Sequence, residues 1–114
     1  MIKVDLFRNG HGDVFSVRLK GHAESGQEGY DIVCSAVSIL VFNTVNCVER
    51  YTKSMFKTDI DNKKGGYLKF TIFPDDKGEY DHDAVLLLKA MASGLIDIEN
   101  EYGCYITIND EEVQ

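Results

Sequence analysis

The chain is 114 residues long, 44% hydrophobic, and carries a net charge of −7, which is enough apolar material for one two-layer core and too short for a second domain. Its 12 Lys and Arg are scattered through an acidic background, and this argues against a protein that binds a phosphate backbone, because such binding depends on clustered cations. The 3 cysteines are widely spaced with no Cys-x-x-Cys pair, a usage that suits a reducing cytoplasm better than a disulfide framework.

At the N-terminus, Ile2, Val4 and Leu6 alternate with Lys3 and Asp5, and residues 14–20 alternate again. The Asn-Gly-His-Gly turn at 9–12 between them makes the first element a hairpin and not the apolar core of a signal peptide. From Ile32 to about Tyr51 there is no Pro or Gly, and apolar residues recur on a helical period, with Asp31 as the expected N-cap. Ile32, Val33, Ile39, Leu40, Phe42 and Val45 cover more than one face of that helix. One side is therefore expected on the sheet and another on a second helix or a partner, which predicts a homodimer. No apolar stretch is expected to span a bilayer, so neither a membrane nor a nucleic acid is an expected partner.

Residues 56–61 and 67–73 read as two more strands joined by the turn at 62–66, and the segment 74–78, which holds the lone proline, ends them. Residues 81 to about 102 repeat Val85, Leu88, Met91 and Leu95 at helical spacing, with Asp81 or Asp83 as cap and Gly94 as a weak point. Residues 104–108 form a last strand before the acidic stretch Asp110-Glu111-Glu112. The order ββαββαβ predicts a single α+β domain over 1–114, a two-layer sandwich in which both helices cover one face of a mostly antiparallel sheet of about five strands.

The chemistry is concentrated between the second strand and the first helix. With Asp31 as cap, Cys34 falls at the third helical position, where backbone N–H groups and the helix dipole favour a thiolate. His22 ends the preceding strand and can serve as its general base and acid. The N–H groups of Cys34 and Ser35 are candidates for an oxyanion hole, and Gly21, Gly26 and Gly29 allow the intervening loop to open and close. Each residue also has a plainer reading. Cys34 suits a small packing residue, His22 an exposed strand end, and Asp31 either a cap alone or a carboxylate that orients His22. Cys47, Cys104, His11 and His82 have no local feature that implies chemistry. Zinc needs three or four converging ligands and only His22 and Cys34 are close in sequence, so no metal and no cofactor is expected. A redox-sensing thiol would lack a nearby resolving cysteine.

The stretch Gly21-His22-Ala23, followed by Asp31-Ile32-Val33-Cys34-Ser35-Ala36-Val37-Ser38, resembles the ribosomal-processing cysteine protease (Prp) family. That family's pattern is G-H-A, a glycine-containing loop, then D-x-x-C, two small residues, an aliphatic residue and Ser. The resemblance implies a cytoplasmic, homodimeric bacterial protease. Its substrate would be a ribosomal protein precursor of the large subunit, whose short N-terminal extension is cut after a pair of aromatic residues. It implies Cys34 as nucleophile, His22 as base and acid, Asp31 and Ser38 in support, and Ala23 to Tyr30 as a substrate-ordered loop; apart from the resemblance, Tyr30 is expected to line a pocket for an aromatic substrate side chain. The alternative is a ribosome-associated module that binds a peptide without cutting it.

Overall fold

Alternation in the first hairpin decides which face of the sheet is apolar. In a computed structural model that describes residues 1–22, 29–61 and 63–113, β1 (Ile2–Arg8) pairs antiparallel with β2 (Val14–Lys20). Val4 stands opposite Leu19 and Leu6 opposite Val17, and all four are fully buried, as period-two side chains on one face should be. The remaining elements are α1 (Tyr30–Tyr51), β3 (Met55–Asp61), a single 3-10 turn (Lys63–Gly65), β4 (Tyr67–Phe73), α2 (His82–Tyr102) and β5 (Ile106–Glu112). The sheet runs β3-β4-β2-β1-β5, antiparallel throughout except for the parallel pair β1 and β5. The α+β sandwich of order ββαββαβ is the predicted one.

Both helices share one core with the apolar face. Val33, Val37, Val41 and Val48 of α1 and Leu88, Met91 and Leu95 of α2 join Leu68, Phe70 and Ile72 of β4. Gly94 is a close-approach point between the helices: a Cβ there would lie 2.9 Å from Leu40 Cδ2. By length and composition α1 could cross a membrane, contrary to expectation, yet here its valines are spent on the core. Its other face is open in the single chain, with Ile32 and Ile39 exposed. The opposite face of the sheet is polar. Arg18 Nε donates to Asp5 at 2.9 Å and Asn109 Nδ2 at 3.2 Å, and although burial pushes the Asp5 carboxyl up, these bonds hold it below its usual value.

Two boundaries differ from expectation. The first helix begins at Tyr30, not after Asp31, because Gly29 takes the cap position with φ +94, a backbone conformation that glycine adopts without steric cost. Asp31 is therefore not the N-cap; it is the second helical residue. The last strand begins at Ile106 and continues through Glu112, so Cys104 precedes it and the acidic stretch is strand. Parallel pairing with β1 places Asp110 near Arg8, whose guanidinium donates to both carboxylate oxygens at 2.7 and 2.9 Å. This fork-to-fork pair offsets the acidic residues' poor strand propensity.

At α2 the expected cap is present, with Asp81 accepting from the Ala84 N–H at 3.0 Å. Replacing Asp81 with Ala is expected to lower unfolding free energy by about 1 kcal/mol, measured by urea denaturation; an unchanged midpoint would contradict this role.

Candidate active site

The catalytic candidates meet where β2 ends. Gly21 follows Lys20 with φ +82, and a Cβ there would sit 2.9 Å from the Met1 carbonyl oxygen, so the turn requires glycine. The Gly21 N–H donates to the Gly66 carbonyl at 3.1 Å, tying the turn to the residue just before β4. His22 comes next and is 5% exposed.

From the other side, α1 presents one row of residues at i, i+4, i+8 and i+12, a spacing that aligns side chains along one helix face. Tyr30 donates its hydroxyl to the Gly21 carbonyl at 3.1 Å. The Cys34 thiol, 5% exposed, approaches the same oxygen at 3.8 Å. Ser38 Oγ donates to the His22 carbonyl at 3.5 Å, and the Phe42 ring meets the His22 imidazole edge-on with centroids 6.3 Å apart. Gly21, His22, Tyr30, Cys34 and Ser38 are thus brought together.

Burial lowers the pKa of His22 from its ordinary 6.5, so the imidazole is neutral at pH 7 and fit to accept a proton. Its Nδ1 is buried without a hydrogen-bond partner among the described residues, so none of their carboxylates orients the ring through that atom.

Several expected residues are placed differently. With the helix starting at Tyr30, Cys34 is its fifth residue, and the first intrahelical bond already runs from the Val33 N–H to the Gly29 carbonyl at 3.1 Å. The amides of Cys34 and Ser35 therefore point into the helical ladder, and the backbone oxyanion assignment to them is not supported. Donors not engaged by the helix itself lie one turn earlier. Asp31 is exposed in the first turn. Tyr30 is 6% exposed, with its ring centroid 6.0 Å from that of Tyr105, so it is a packed helix residue and not part of a loop. Gly29 is the cap, held close to Tyr105, whose hydroxyl would lie 3.1 Å from a Cβ at that position. Ala23 and Gly26 lie outside the described residues. Among the described residues no group of three or more His, Cys, Asp and Glu is placed to hold a metal ion. Sequence reasoning missed Phe42; its spacing of four from Ser38 was the available signal.

A cavity of about 670 Å³ opens beside this turn, lined by Lys20, Asp59, Ile60, Asp61, Lys63, Gly66 and Tyr67. It shares Gly66 with the contact that anchors Gly21.

Known proteins share this arrangement of chain. The sequence pattern of the family described as Cysteine protease Prp matches residues 1–107. The ribosomal processing cysteine protease Prp of Staphylococcus aureus is 34% identical over 109 residues, covering 96% of this chain and 98% of that protein. Its namesake in Bacillus subtilis is 33% identical and covers 90% of each. A crystal structure from Streptococcus mutans superposes with a TM-score of 0.89 at 32% identity, covering 99% of this chain and 96% of the other. The S. aureus protease in complex with a substrate peptide gives 0.79 at 33% identity, covering 96% of this chain and 99% of that one.

The state of His22 makes stability depend on pH in a defined direction. Because its folded pKa lies below 6.5, the contribution is complete above the unfolded value and is lost as pH falls through the folded one. Wild-type protein is expected to lose unfolding free energy between pH 6.5 and 5 more steeply than His22→Gln, measured by urea denaturation at each pH. Parallel profiles would contradict a depressed His22 pKa.

Proposed function

The chain belongs to the cysteine protease Prp family, and we propose that it removes a short N-terminal extension from a large-subunit ribosomal protein in the cytoplasm, acting as one domain over residues 1–114. As a ribosomal processing cysteine protease it needs a nucleophile, a base and a held peptide. The observation that carries the assignment is that α1 meets the His22 turn at two adjacent carbonyls, Cys34 at that of Gly21 and Ser38 at that of His22.

In the reading proposed here, Cys34 rests as a thiol beside a neutral His22. When a peptide carbonyl is presented, the sulfur attacks its carbon as the thiol proton passes to His22. The tetrahedral intermediate collapses, the C–N bond breaks, and the imidazolium gives its proton to the departing amine. Water, deprotonated by His22, then attacks the thioester and restores the thiol. Ser38 supports the pair by holding the His22 carbonyl. Asp31 offsets the positive end of α1, a charge arrangement that favours a base-assisted thiol over a preformed thiolate. The cavity that shares Gly66 with the turn has the volume of an ordinary ligand site.

Cys34→Ala is expected to abolish processing, by at least about 1,000-fold, when a ribosomal protein precursor is incubated with each protein and followed by mass spectrometry. Continued cleavage by that variant would refute the assignment. The exposed Ile32 and Ile39 favour a second copy seated on α1, so light scattering at micromolar concentration is expected to give twice the mass of 12.8 kDa; a monomer mass would refute it.

A further inference from the structure

The Gly21 carbonyl is shared by the catalytic thiol and by a residue so far given no part in the reaction. It accepts the Tyr30 hydroxyl at 3.1 Å and faces the Cys34 sulfur at 3.8 Å. We propose that Tyr30 is a positioning residue, whose hydroxyl sets the Gly21–His22 peptide and shares with the Cys34 thiol the carbonyl that accepts both. The inference rests on the reading of Cys34 and His22 as the catalytic pair.

Two observations carry it. In thiol and serine hydrolases a third side chain commonly bonds the far nitrogen of the histidine and so fixes the ring. Here His22 Nδ1 is buried without a partner among the described residues, and what they offer to orient it is the backbone and the ring's contact with Phe42. The His22 residue is bracketed by hydroxyls from α1, Tyr30 on the carbonyl before it and Ser38 on its own carbonyl. Tyr30 is suited to this because it is itself fixed, 6% exposed and packed on Tyr105.

The second observation concerns the proton. A thiol is a weak donor and a carbonyl oxygen has two lone pairs. A hydroxyl at 3.1 Å against a sulfur at 3.8 Å takes the stronger share of that oxygen. Of the two bonds that the Gly21 oxygen accepts, the one from the Cys34 thiol is thereby the weaker. Loss of the Tyr30 hydroxyl would leave the carbonyl as a better acceptor for the thiol and the turn less constrained.

Tyr30→Phe removes the hydroxyl and keeps the ring on Tyr105. Cys34 carboxymethylation by iodoacetamide is expected to slow about fivefold at pH 7, with its pH midpoint moved upward. On a precursor peptide, kcat is expected to fall by a comparable factor with KM within about twofold. Tyr105→Phe, which removes a hydroxyl from the same ring pair but not the bond to Gly21, is expected to leave the alkylation profile in place. An unchanged profile for Tyr30→Phe, a fall in melting temperature without a change in that profile, or an equal shift for Tyr105→Phe would each overturn the proposal. Alkylation is read without a peptide, so wild-type protein that alkylates quickly but cuts no precursor would count against the proteolytic function, while the variants' alkylation rates would still decide the role of Tyr30.

Discussion

The peptide at Gly21 is the point on which the candidate active site depends. Its left-handed conformation leaves no room for a Cβ against Met1, its N–H is bound to Gly66, and its carbonyl faces Tyr30 and Cys34. A single residue thereby connects β1, β2, the start of β4 and α1. Each partner comes from an element fixed by the apolar core, so the turn gains its rigidity from packing elsewhere and needs no extended network of its own. The cost is a buried imidazole nitrogen without a partner among the described residues, a penalty on the order of 1 to 3 kcal/mol, at the position proposed for proton transfer.

This arrangement favours a neutral imidazole at His22. Burial disfavours the charged form of His22, and Cys34 sits well inside α1, at a position beyond the helix's first free amides. The helix dipole falls off within the first turn, and the carboxylate of Asp31 partly cancels it. In the proposed mechanism, charge separation would await attack on substrate, which would spare the sulfur from indiscriminate reaction because the thiolate is the reactive species.

Much of the architecture is legible in the residues, and the exceptions have physical causes. β2 and β4 follow from strict alternation, and α2 from its apolar period and the Asp81 cap. β5 is harder to read because Asp110, Glu111 and Glu112 resemble a solvated tail until Arg8 is brought alongside through parallel pairing. The start of α1 is obscured because a glycine that caps a helix and a glycine that turns a loop look the same in sequence. His22, Cys34 and Ser38 stand out by motif. The inward hydroxyl of Tyr30 and the ring of Phe42 do not, since periodicity tells which residues share a face but not what that face meets.

The parallel pairing of β1 with β5 has a consequence for biosynthesis. His22 and Cys34 leave the ribosome early, together with the hairpin and α1, whereas Tyr105, which packs on Tyr30 and borders Gly29, is translated long afterwards. The Ile2 N–H likewise waits for the Tyr105 carbonyl, its partner at 2.9 Å. A nascent chain therefore holds both candidate side chains before it holds the residue that packs on the start of α1. Translation order leaves the candidate site without that packing until Tyr105 has been made.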